Sequence, residues 1–255
     1  MPLIRYLKRK YISSRPFPES WVPILESKVP VYRRLPKTLR DTLKKHIPIV
    51  ISEKNYEGCG GLTLSEEMKV IITAYACVLI LKEKADYYSD LQSILVYPDS
   101  YVAPVSEMDE GGIVSEGFEP RSGEYWGTGN IVLAWCEIKK NLSESGKGQN
   151  LIYHEFSHLL DDRYGLTAGI TLEGKALRED EWTRVLASSY KKHGRNMNES
   201  RRSVLDEYGT RSPAEFFSVA SEAFFEAPDA LHREMPDLYR VLRSFYALDP
   251  LSWRG

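Results

Sequence analysis

The chain has 255 residues, 42% hydrophobic and 27% charged, and its 34 Lys and Arg nearly match its 36 Asp and Glu, leaving a net charge of −2. That length and apolar content suffice for a substantial core, and the balanced charge gives no reason to expect nucleic acid or an anionic membrane as the main partner. No apolar run approaches the ~20 residues that span a bilayer, no signal-peptide apolar core follows the basic N-terminus, and three widely spaced cysteines, Cys59, Cys77 and Cys136, predict reduced thiols in a cytoplasmic protein.

Residues 1–35 mix basic, aromatic and proline positions (Pro16, Pro18, Pro23, Pro30) and read as an irregular lead-in. The basic excess of Arg5, Lys8, Arg9 and Lys10 reads as a solvated end. From Leu35 to Ile51, the apolar residues Leu35, Leu39, Leu43, Ile47 and Val50 recur at helical spacing; Pro36 suits the first turn and Pro48 is expected to end or kink the helix. After a break at Gly58–Gly61, Thr63 or Ser65 caps a helix over 66–83 that is apolar on most of its circumference and should be the buried helix of this half. The glycine cluster is no phosphate loop, because no Lys-Ser/Thr follows it.

Strand signals come next: Ser93–Tyr97, stopped by Pro98, then weaker ones at Tyr101–Val105 and Gly112–Val114. A turn-rich stretch marked by Pro120, Gly123 and Gly127 leads to another strand, Gly129–Trp135, and Asn141–Gln149 reads as a polar loop.

Leu151 to Asp162 contains His154-Glu155-Phe-Ser-His158, the pattern H-E-x-x-H. Leu151, Ile152, Phe156, Leu159 and Leu160 give the segment an apolar face, and Gly165 is a helix stop, so the match falls on a buried helix. Positions four apart share a helical face, so His154 and His158 can present imidazole nitrogens to one metal ion while Glu155 stands beside its water. The strand before such a helix commonly walls a peptidase cleft, where an extended peptide can add to it by main-chain hydrogen bonds.

Beyond it, Glu179–Lys192 reads as a helix and His193–Glu199 as a loop. Ser212-Pro213-Ala214-Glu215 is a helix start, with Ser212 as N-cap and Pro213 at the first position; the helix runs through Phe225. A last helical piece, Leu231 to Leu248, lies in a C-terminal segment, 231–255, of what is expected to be a single domain over 1–255.

Catalytic zinc takes three protein ligands and keeps one place for water, whereas structural zinc usually closes with four ligands, often cysteine. A third histidine at the H-x-x-G-x-x-H spacing is excluded, since Asp161 and Tyr164 occupy the glycine and histidine positions. Asp161 shares the face of the two histidines and suits a hydrogen bond to an imidazole N–H better than direct ligation. Glu215, in the first turn of an apolar helix, is the stronger candidate for the third ligand. Two alternatives stand beside it: Glu215 only completes a capping box with Ser212, or Glu222, seven residues on and on the same face, is the ligand.

His154-Glu155-Phe-Ser-His158-Leu-Leu-Asp161 and Ser212-Pro-Ala-Glu215-Phe-Phe-Ser-Val-Ala-Ser-Glu222-Ala-Phe-Phe225, together with Gly60–Met68 and Gly129–Trp135, resemble the Mlc titration factor A family of zincin-like metallopeptidases over roughly residues 50–230. That family is in turn similar to the catalytic domain of anthrax lethal factor. The resemblance implies an α+β zincin-like fold, mostly helical, with a small mixed sheet whose edge strand lines the cleft. It implies a gluzincin-type site in which His154, His158 and Glu215 hold one Zn2+ per chain, Glu155 is the general base and Tyr208 hydrogen-bonds the developing oxyanion. It further implies aminopeptidase-like action on a peptide or aminoacyl substrate. The alternative reading is a regulatory protein that sequesters a transcriptional repressor of the Mlc type, with peptidase activity secondary or absent; neither reading calls for direct nucleic-acid or membrane contact.

Overall fold

The computed structural model describes residues 2–82, 86–108, 114–121, 123–126 and 129–253. The lead-in is helical, not irregular: α1 (Pro2–Ser14), a 3-10 turn (Glu19–Trp21), α2 (Val22–Lys28) and α3 (Pro30–Arg34) follow in quick succession. Pro23 and Pro30 sit in the first turns of α2 and α3, where a missing N–H forfeits no intrahelical hydrogen bond, so the prolines mark starts. α4 (Lys37–Glu53) runs through Pro48 and does not stop there, because Ile49 and Val50 beyond it are buried and hold the last turn to the core.

β1 (Asn55–Gly58) leads to α5 (Glu66–Leu79), capped by Ser65, whose hydroxyl accepts from the Met68 N–H at 3.2 Å. Every residue from Val70 to Leu79 is buried, as expected of a helix that is apolar nearly all round. β2 (Ser93–Tyr97), β3 (Tyr101–Met108), β4 (Val114–Arg121), β5 (Gly123–Trp126) and β6 (Asn130–Ala134) follow. β3 and β4 form an antiparallel pair of their own; residues 112 and 113 of the expected strand lie outside the described residues. The main sheet has the order β1-β2-β6-β5, with β1, β2 and β6 parallel and β5 antiparallel to β6.

The strand nearest the metal-type motif in sequence, β6, is therefore interior, and the edge belongs to β5, which the glycines and proline around it disguise as a turn. Four residues are too few for alternation to register. Trp135, expected in the strand, opens α6 (Trp135–Ser143), which also takes up the first part of the expected loop over 141–149.

α7 (Leu151–Tyr164) carries the motif, followed by α8 (Glu181–Asn198), a 3-10 turn (Glu207–Thr210), α9 (Pro213–Glu226), α10 (Pro228–Glu234) and α11 (Pro236–Tyr246). α8 extends through the expected loop at 193–198 because His193 is fully buried, its Nε2–H donating to the Asp206 carbonyl at 3.0 Å. The C-terminal piece is two helices, each with proline in its first turn, broken at Met235. α7 packs on α5 and α9, and one cluster of buried apolar side chains extends from Trp21 to Trp253, including Phe216, Phe217, Phe224 and Phe225 of α9. The three cysteines are free thiols, and no helix among the described residues is long and apolar enough to cross a membrane.

Candidate metal centre

Two helix starts position the site. Asn150 caps α7, its side-chain oxygen accepting from the Tyr153 N–H at 3.1 Å, and Gly165 ends the helix in the left-handed conformation. Ser212 caps α9 by accepting from the Glu215 N–H at 3.1 Å, with Pro213 at the first helical position. Asn141 of α6 accepts from the Leu151 N–H at 2.8 Å and so fixes the entry to α7.

The two helices cross with their motif residues facing. His154 Nε2 lies 2.9 Å from Glu215 Oε2, and His158 Nε2 lies 3.4 Å from the same oxygen. One donor atom from each of His154, His158 and Glu215 lies within 4.8 Å of the others, so the three could hold a metal ion. Two imidazole nitrogens and one carboxylate oxygen are a donor set that suits zinc. The Glu215 carboxylate thus turns to the histidines, while Ser212 keeps the backbone half of the cap.

Glu222 takes the other nitrogen of His154. Nδ1 is 2.8 Å from Glu222 Oε1, and the second oxygen of Glu222 accepts the Asn150 backbone N–H. Glu226, one turn on, accepts from Asn150 Nδ2, Ser145 Oγ and the Gly146 N–H, each at 3.0 Å. The cap residue of α7 is therefore clamped by two buried carboxylates of α9. Asp161, by contrast, does not reach an imidazole: its oxygens accept from the Thr167 N–H at 2.8 Å and the Thr167 hydroxyl at 2.6 Å. It stands in the last turn of α7, and Thr167 lies in the loop after Gly165.

Charge and burial compete here. Burial opposes a proton on His154, but hydrogen bonds to Glu215 and then Glu222 hold its pKa well above the usual imidazole value. Burial works against ionised Glu215, and the two imidazoles outweigh it and hold the carboxyl well below the usual range. Burial pushes Glu155 up to about 7 against the opposing pull of His154 and His158. Its side chain is 4% exposed and one oxygen, Oε2, has no hydrogen-bond partner.

A cleft of about 490 Å³ opens beside these groups, lined by His154, Glu155, Glu222, Tyr208 and Gly123, and by Glu137, Lys140 and Arg211 farther out. Tyr208 sits on the 3-10 turn after Asp206, whose side chain accepts its N–H at 2.8 Å. Its ring centroid is 5.8 Å from that of His154, and the Arg211 guanidinium carbon lies over the Tyr208 ring, 4.4 Å from its centroid. Reading the sequence alone missed Gly123, Asn150, Glu226 and Arg211. Of these only Asn150 carried a local signal, as a helix cap directly before an apolar helical run.

A family model described as Glucose-regulated metallo-peptidase M90 matches residues 4–247. An uncharacterized protein of Synechocystis, slr2042, is 34% identical over 96% of this chain and 89% of its own length. The Mlc titration factor A proteins of Serratia proteamaculans and Pectobacterium atrosepticum are 30% and 38% identical, over 80% and 64% of this chain and 78% and 63% of their own.

Proposed function

The chain belongs to the glucose-regulated metallo-peptidase M90 family, and on that premise we propose that it is a zinc-dependent peptidase of aminopeptidase-like action. The observation that carries this reading is the meeting of His154, His158 and Glu215 donor atoms within 4.8 Å of one another, beside the buried carboxylate of Glu155. Those three residues would hold one Zn2+, which would supply a Lewis acid and a water acidified toward neutrality.

The protein's own groups divide the remaining work. Glu155 accepts the proton of the attacking water on its carboxylate and passes it to the leaving amine, and its burial, which raises the carboxyl pKa, favours holding that proton in between. Glu222 accepts a hydrogen bond from His154 Nδ1 and so fixes which nitrogen faces Glu215. The Tyr208 hydroxyl donates to the developing oxyanion. In this reading the fold is zincin-like, and an extended substrate lies along the edge of β5, where main-chain hydrogen bonds orient it. The cytoplasm is the proposed compartment.

Hydrolysis of aminoacyl chromogenic substrates tests the proposal. Turnover should require zinc, stop on chelation and return on zinc addition; Glu155→Gln should keep zinc and lose turnover. Undiminished hydrolysis by chelated protein or by Glu155→Gln would reject it.

A second reading has its own support, because the relatives from Serratia proteamaculans and Pectobacterium atrosepticum carry the name Mlc titration factor A. In it the chain sequesters a transcriptional repressor of the Mlc type. Pull-down of such a repressor by chelated protein would favour binding as a function separate from the zinc chemistry.

A further inference from the structure

We propose that α1 is a docking helix for anionic lipid surfaces. Its apolar residues face outward: Leu3, Ile4, Leu7 and Tyr11 are 67%, 69%, 54% and 63% exposed. With Tyr6, they make up five of the nine large apolar residues exposed among the described residues, and all five lie within one short segment. At 100° per residue, Leu3, Ile4, Leu7 and Tyr11 form one stripe, and Arg5 and Arg9 fall on the opposite side.

That opposite side is what ties the helix to the body. Arg5 and Arg9 both bind the carboxylate of Glu53 at the end of α4, at 3.1 Å and 2.7 Å, and Glu53 is nearly buried. The usual arrangement of a surface helix, apolar side in and charged side out, is thus reversed. Two ion pairs to one carboxylate hold the helix with its stripe in water.

Charge selects the occupant. Exposed Lys8 and Lys10 flank the stripe on either side, and no acidic residue occurs before Glu19. A second copy laid stripe to stripe would bring like charges together. A lipid surface instead accepts a convex apolar stripe, takes the tyrosines at the level of its headgroups and pairs anionic headgroups with the lysines. The inference is independent of the peptidase reading.

Vesicle flotation of the full chain tests it. The protein should float with phosphatidylcholine vesicles containing phosphatidylglycerol, remain in the load with phosphatidylcholine alone, and bind less as salt rises. The double variant Leu3→Asp/Leu7→Asp and, separately, Lys10→Glu change exposed positions, so each should melt at the wild-type temperature while binding at least ~10-fold less lipid. Absence of flotation with anionic vesicles, or equal flotation by the wild type and both variants, overturns the proposal. So does a dimer in solution that Leu3→Asp/Leu7→Asp dissolves, since the stripe then belongs to a second copy.

Discussion

Gly123 and Glu155 touch across the contact between β5 and α7: a Cβ placed on Gly123 would lie 2.3 Å from Glu155 Oε1 and 2.8 Å from its carboxyl carbon. The edge strand and the buried carboxylate therefore share one space, and only glycine leaves the carboxylate where it stands. Gly123→Ala should displace Glu155 and reduce kcat on the order of 100-fold with zinc stoichiometry unchanged. Parallel kinetics and metal analysis check this; wild-type turnover in Gly123→Ala would show that Glu155 need not stay where it is.

Glu215 and Glu222 both face His154, from opposite nitrogens, and substitutions should separate their roles. Glu215→Gln is expected to abolish stoichiometric zinc binding. Glu222→Gln, which leaves one acceptor oxygen where His154 Nδ1 and the Asn150 N–H now use two, should lower zinc affinity by roughly 10- to 100-fold. Competition against a chromogenic chelator measures both, and equal losses would mean that the two carboxylates are not distinct in role.

Asn150 serves three partners at once, the Tyr153 N–H, Glu226 and, through its backbone, Glu222. Asn150→Ala removes the cap and one donor to buried Glu226, at an expected cost of about 2 kcal/mol in denaturant unfolding. A change below about 0.5 kcal/mol would indicate that water replaces the lost bonds.

Away from the metal centre, His46 of α4 is 8% exposed, and its Nδ1 has no partner. Burial, aided by Lys45, lowers its pKa from 6.5 to about 4. Between those values the unfolded chain binds a proton that the folded chain refuses, so this contribution is complete above pH 6.5 and is lost as pH falls toward 4. It amounts to on the order of 3 kcal/mol. His46→Phe should flatten the acid limb of a stability–pH curve by a comparable amount, and an unchanged limb would place the titration elsewhere.

Much of the site was legible locally. The helix carrying His154 and His158, the start at Ser212-Pro213 and the cap at Ser65 all follow from periodicity and end signals a few residues long. Misreadings arose where a local signal had two meanings. Proline at 23 and 30 marked helix starts, not irregular chain; Gly123 belonged to a strand, not a turn; the polar stretch near His193 was the outer face of a helix.

The order of residues along the chain was enough to place two imidazoles one turn apart on a buried helix, because that placement depends on neighbours within one or two turns. Which carboxylate meets which nitrogen was decided only when α7 and α9 packed: Glu215 and Glu222 lie 61 and 68 residues from His154, and Asp161, only seven away, turns to Thr167 instead. Separations of that length are closed by the core, through the buried phenylalanines of α9, and not by any local preference. The outward stripe of α1 has the same origin, since no pattern within the helix reveals that Glu53 draws its basic side inward.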